Sequence, residues 1–198
     1  MAESFDAFKT AARACRVCAP YLGHPVRPIV RGTTKSRIRI ISQAPGTRAH
    51  GKDTPFMDPS GVRLRDWLGM SEAEFYDEDT VAITPMGFCF PGLDAKGGDR
   101  PPRKECAPLW QDRADAALPN VRLTLLIGAY AQRWHLGDKA EKTLTKTVLR
   151  WRDFWPDHAA LPHPSWRNNA WLKRNPWFEN DVLPELRRRI RSILAGEI

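Results

Sequence analysis

The chain is poor in several things, and each shortage excludes a class of protein. No apolar run approaches the roughly 18 residues that a membrane-spanning helix needs. The opening stretch, MAESFDAFKT, lacks the charged-then-apolar order of a secretory signal, so a cytoplasmic, soluble protein is expected. Only four of 198 residues are cysteine, and in an intracellular protein those four do not make a disulfide framework. No internal repeat and no low-complexity tract interrupts the sequence, which sets aside solenoids and disordered chains. Acidic residues are outnumbered, 23 against 31 Lys and Arg, for a net charge of +8.

What remains is the composition of a folded protein. Hydrophobic residues make up 42% and aromatic residues 10%, enough to bury a core in one domain spanning residues 1–198. The charge is uneven: residues 1–52 hold ten Lys and Arg against two Asp and Glu, whereas residues 53–162 hold 14 against 17. Basic ends around a slightly acidic middle suggest a polyanionic partner. Five of the eight Trp fall after residue 150, among basic residues, a mixture suited to stacking on bases.

Three β-branched, apolar runs read as buried strands, at 37–42, 80–84 and 123–127, with a weaker fourth at 159–162. Helical patterns cover 60–68, 103–118, 129–136, 144–154 and 179–194. Strands alternating with helices predict an α/β fold with a parallel sheet covered on both faces. Ligands of such sheets bind beyond the C-terminal strand ends. Those ends carry Ser42-Gln43-Ala44-Pro45-Gly46, Thr84-Pro85-Met86-Gly87, Gly128-Ala129-Tyr130 and His163-Pro164-Ser165. The Gly- and Pro-rich stretch 90–102 reads as a loop.

The cysteines are Cys15, Cys18, Cys89 and Cys106. A Cys-x-x-Cys pair followed by two more distant cysteines can close a tetrathiolate site for zinc or an iron–sulfur cluster, and spacing does not separate the two. A thioredoxin-type role is disfavoured, because the pair follows a helical pattern rather than a strand.

In order, these motifs resemble the uracil-DNA glycosylase superfamily, and most closely its iron–sulfur branch, family 4. The resemblance runs from Cys15 through Gln43-Ala44-Pro45-Gly46, Pro55-Phe56, Cys89 and Cys106 to His163-Pro164-Ser165. It implies a three-layer α/β/α sandwich around a four-stranded parallel sheet. It also implies a structural [4Fe-4S] cluster on the four cysteines, tethering an N-terminal segment of about residues 1–35. The implied activity is monofunctional hydrolysis of the N-glycosidic bond of uracil in flipped-out DNA, acting as a monomer in base excision repair.

The resemblance also distributes roles. Gln43, Ala44, Pro45 and Gly46 form the turn beside base and water, and Phe56 stacks on the base; apart from the resemblance, backbone around Met86 and Gly87 is expected to read uracil. His163 stabilises charge on the departing base. The segment after His163 enters the minor groove, with Ser165, Trp166, Arg167 and Asn168 at its start and Lys173 and Arg174 further on, Trp166 serving as wedge. Trp171 and Trp177 belong to the core. Arg48 and Lys52 suit phosphate contacts.

Three positions depart from family 4. Gln43 replaces its usual Glu, Pro85 replaces the Asn that reads the uracil edge, and Asp58 replaces a Gly. Losing that Asn predicts broader base choice, including deaminated purines or 5-substituted uracils. With no carboxylate at the turn, Asp58 or His50 is the expected water-directing group; Asp58 also suits an N-cap for the helix near Ser60. Two alternatives stay open: a glycosylase-fold module that binds uracil or abasic DNA without efficient turnover, and a zinc-binding nucleotide or RNA-processing protein.

Overall fold

The computed structural model describes residues 3–197. In chain order the elements are α1 (Phe5–Ala14), α2 (Ala19–Leu22), β1 (Ile38–Ile41), α3 (Thr47–Lys52), α4 (Pro59–Leu68), α5 (Glu72–Tyr76), β2 (Val81–Ile83), α6 (Cys106–Ala117), β3 (Leu123–Ile127), α7 (Ala129–Leu136), α8 (Leu144–Leu149), β4 (His158–Leu161), α9 (Asn169–Arg174) and α10 (Leu183–Ala195). All four strands are parallel, in the order β2-β1-β3-β4. Helices cover the sheet, so the strands read as continuous apolar runs rather than alternating ones. This is the expected α/β architecture.

The chain leaves β1 toward β2 on one side and reaches β3 on the other. That reversal opens a crevice beyond the C-terminal ends of β1 and β3, the standard place for a ligand in an open parallel sheet. The outer edge of β2 is covered by an antiparallel bridge between Arg31 and Ile83, which removes an exposed template for strand pairing.

One apolar cluster, including Leu64, Phe75 and Phe178, fills the space against the sheet; a second joins Phe5 and Phe8 of α1 to Trp110 and Ala114 of α6. Trp171 and Trp177 pack edge-on to each other and to Phe178, as expected for core residues. The helix expected at 144–154 stops at Leu149 and continues as a single 3₁₀ turn, Trp151–Asp153. The one expected at 179–194 is divided, because Pro184 belongs in a first helical turn and α10 starts at Leu183 after a π-turn over Phe178–Val182.

Part of the basic excess also serves the fold. Arg187 donates to the carbonyls of Trp67 and Asp66, and Arg191 to that of Gly69, where the C-terminus of α4 gathers partial negative charge. Arg37 reaches the Ile193 carbonyl and Arg27 that of His50. These arginines tie elements together while keeping their charge.

Candidate active site

Beyond the strand ends lies an open cleft of about 2250 Å³, counting space continuous with solvent. The Ser42–Gly46 turn forms one wall, leading directly into α3 with Gly46 as its N-cap. Phe56, Asp58 and Pro59 form a second wall, and His163 through Asn168 a third. Of the expected groups, Gln43, Ala44, Pro45, Gly46, Arg48, Phe56, Asp58, His163, Ser165, Trp166, Arg167 and Asn168 all line it.

Phe56 adopts a left-handed backbone, φ 60°, rare for an aromatic residue and costing on the order of 1–3 kcal/mol. Two features hold it there. The Asp58 side chain accepts the Gly61 N–H at 2.9 Å and starts α4 at Pro59, as expected of a cap. Gly61 then lies so close beneath Phe56 that a Cβ there would stand 1.8 Å from the Phe56 carbonyl oxygen. The ring meets Phe75 edge-on at 5.9 Å, which leaves it partly buried on the cleft wall.

His163 follows β4 between two prolines. The Ser165 N–H donates to its Nδ1 at 3.2 Å, and the Asn168 amide donates to its carbonyl at 2.7 Å. An accepting Nδ1 puts the proton of a neutral imidazole on Nε2. Burial lowers the His163 pKa and so favours that neutral form; the Asp58 carboxylate pulls the other way, and Arg167 adds to the lowering. Arg63 of α4 donates to the Ser165 carbonyl at 3.2 Å and braces the loop.

The loop after β2 corrects the expectation for Met86 and Gly87. Met86 is buried, and its N–H donates to the Ser42 carbonyl at 2.8 Å; the Gly87 N–H donates to the Gln43 carbonyl at 2.9 Å. Both donors are spent fastening the two strand-end turns together, so neither reads a base. Gly87 packs between Pro102 and Ala44, where a Cβ would lie 3.0 Å from Pro102 Cβ, and it faces the cysteine cavity instead. Pro85 does line the cleft. Its carbonyl accepts the Gln111 amide at 2.9 Å, and Gln111 is oriented in turn by Arg39 at 2.8 Å. Arg39, lowered to about 9 by burial, also donates to Thr84 at 2.7 Å and pairs with Asp115. Nothing in the sequence marked Gln111; the only sign of Arg39 is a lone cation inside an apolar strand.

His50 is not brought to the cleft. It packs on His24, ring centroids 4.7 Å apart, and on Phe90 at 5.7 Å, because α3 turns that side of the helix toward the N-terminal segment. Lys52 ends α3, and Lys173 and Arg174 end α9; all three are exposed and none lines the cleft. In their place the loop 90–102 contributes Asp94, Lys96 and Asp99, which sequence reasoning missed. Trp166, 69% exposed, stands at the rim with the Arg167 guanidinium 5.6 Å from its ring centroid.

The four cysteines share a second, smaller cavity of about 410 Å³, again counting open space, walled by Val26, Pro28 and Trp110. Cys15 ends α1, Cys18 precedes α2, and Cys106 begins α6, accepting the Phe88 N–H at 3.3 Å. All four are unpaired thiols. Among the described residues no three such side chains converge on a point that would hold a single metal ion.

The chain is similar to solved structures. One is the solution NMR structure of a Methanosarcina acetivorans protein provisionally named a uracil DNA glycosylase, with 14% identity and a TM-score of 0.48 over 82% of this chain and 97% of that one. In sequence, the Uracil DNA glycosylase superfamily matches residues 29–187, which include the cleft, His163 and two of the cysteines. By that match, covering most of its length, the chain belongs to the Uracil DNA glycosylase superfamily.

Proposed function

We propose that this protein is a DNA glycosylase that takes a uracil or a related deaminated or 5-substituted base out of duplex DNA and hydrolyses its N-glycosidic bond, initiating base excision repair inside the cell. The observation that carries the reading is the Ser165 N–H on His163 Nδ1, which leaves the proton of the neutral ring on Nε2 in a residue that lines the cleft. As the C1′–N bond breaks, its electron pair moves onto the base, and a preorganised donor at a base oxygen stabilises that charge. Phe56 stacks on the flipped base, and the Gln43–Gly46 turn bounds it opposite. Asp58 supplies negative charge beside the positive charge growing on the sugar. Arg48, Arg167 and Lys96 meet phosphates, and Trp166 wedges into the stack.

The β2 loop supports broad base choice. With Pro85 lacking a polar side chain, its carbonyl already accepting from Gln111, and the next two N–H groups donating to Ser42 and Gln43, residues 85–87 offer a base edge neither a polar side chain nor a free N–H donor. A base is then selected mainly by shape, stacking and His163.

The four cysteines line one cavity, and four thiolates are the donor set that the family 4 resemblance gives to a [4Fe-4S] cluster, with zinc the alternative. Cys15, Cys18, Cys89 and Cys106 would hold the group, which would crosslink α1, α2 and α6. Iron and acid-labile sulfide measured on purified protein separate it from zinc.

A gel assay tests the reading. Oligonucleotides with uracil, hypoxanthine, xanthine or a 5-substituted uracil become alkali-labile only where the base is removed. Binding without lability would favour a DNA-recognition module, for which the unread base edge is the supporting feature.

A further inference from the structure

The turn beside base and water carries no acid in this chain, His50 points elsewhere, and Asp58, the other expected water-directing group, spends an oxygen capping α4, which leaves room for a further base. The loop 90–102 brings one to the same place. Asp99 is carried on a short hairpin closed by the Leu93–Asp99 bridge, the Arg100 N–H to the Gly92 carbonyl at 2.9 Å and the Asp94 N–H to the Gly98 carbonyl at 2.7 Å. The Gln43 amide donates to the Arg100 carbonyl at 3.2 Å, fastening this hairpin onto the turn. As a result the Asp99 carboxylate faces the Cα of Gly46: a Cβ there would lie 3.4 Å from Oδ2 and 4.0 Å from Oδ1.

We propose that Asp99 is the water-activating base of this glycosylase, reaching the cleft from the loop after β2 instead of from the turn itself. The inference rests on the glycosylase reading. In the reaction Asp99 takes a proton from water as the water oxygen bonds to C1′; the C1′–N bond breaks, its electrons leave with the base, and Asp99 later returns the proton to solvent. Three carboxylates, Asp58, Asp94 and Asp99, share the cleft with different surroundings, which is how acid–base roles are divided; Asp94 accepts the Lys96 and Gly98 N–H groups on Oδ1. Asp58 spends one oxygen on the Gly61 N–H. Among the described residues no donor engages Asp99, whose residue stays open to water on its outer side while the cleft wall desolvates its carboxyl. That burial raises its pKa; Arg167 opposes the rise, and Asp58 and Asp94 add to it. Lys96, Arg48, Arg63 and His163 are the other charged and titratable groups lining the same cleft.

The test is single-turnover base release from a uracil-containing oligonucleotide across pH 4 to 9 (about the range over which both wild type and variant stay measurable, from the carboxylate and imidazole values). Asp99→Asn should lose about 10²-fold or more in rate, Asp99→Glu should recover part of it, and the acid limb of the wild-type profile should vanish in Asp99→Asn but persist in Asp58→Asn. Binding to abasic-site DNA should stay within about threefold of wild type, because the hairpin is intact. An Asp99→Asn rate close to wild type, or a retained acid limb, overturns the proposal while wild-type activity upholds the glycosylase reading. No release by wild type from any base in the panel overturns both.

Discussion

Gln111 donates its amide N–H to the carbonyl of Pro85 at 2.9 Å, across the boundary between a buried polar network and the cleft. The bond fixes the loop after β2 and occupies one lone pair of the backbone acceptor that residue 85 offers. Buried arginine sets this up, since Arg39 orients the Gln111 amide from below.

Base choice should therefore narrow when a side chain able to read the edge is restored. Pro85→Asn is expected to raise the preference for uracil over hypoxanthine by about tenfold or more, as a polar site rejects the base it mismatches. Competition between the two substrates in one reaction checks this. An unchanged ratio would mean that another wall sets selectivity.

Gly61 is a second point of control. With a Cβ 1.8 Å from the Phe56 carbonyl, Gly61→Ala must either break the start of α4 or move Phe56 off its left-handed backbone. The expected cost is about 1–3 kcal/mol of stability, with a larger loss in substrate affinity than in the rate of bound substrate. Denaturant melts and single-turnover titrations separate the two.

The sheet was legible because its strands are apolar runs cut off by Gly and Pro, and β3 lies at 123–127 as read. The short helices α3, α5 and α9 were not: six or fewer residues give too little periodicity, and their ends depend on tertiary contacts. In the site, Gln43–Gly46, Phe56, Asp58 and His163 stood out because each sits at a strand end or beside a turn. His50 misled because a helix of six residues does not announce which side faces the ligand. Asp99 carried no signal at all, being one acid in a Gly-Pro loop whose placement comes from the Gln43 contact with Arg100.

The cysteines should act as one unit. Cys106→Ser is expected to lower iron and sulfide content and loosen the junction of α1 and α6, where Phe8 and Trp110 meet at 6.0 Å. Metal analysis and hydrogen exchange in α1 check both halves. Full cluster content in that variant would remove Cys106 from the ligand set.

Stability should decline earlier in acid than carboxylates alone would dictate. Burial carries His135 from its ordinary 6.5 down to about 3, and also lowers His158 and His163. Between those pH limits the unfolded chain binds protons that the folded chain refuses, so stability falls as pH drops below 6.5. Each such group contributes at most about 1.4 kcal/mol per pH unit. Urea midpoints at neutral and mildly acidic pH measure the slope, and His135→Leu should flatten it.

The central claim concerns the donor on His163. Base release from a uracil-containing oligonucleotide, followed under single turnover for wild type and His163→Ala, tests it most directly. Wild type should release the free base, and the variant should be slower by roughly 10²–10³-fold with DNA binding retained. Equal rates in the two proteins, or no release by wild type, would contradict the account.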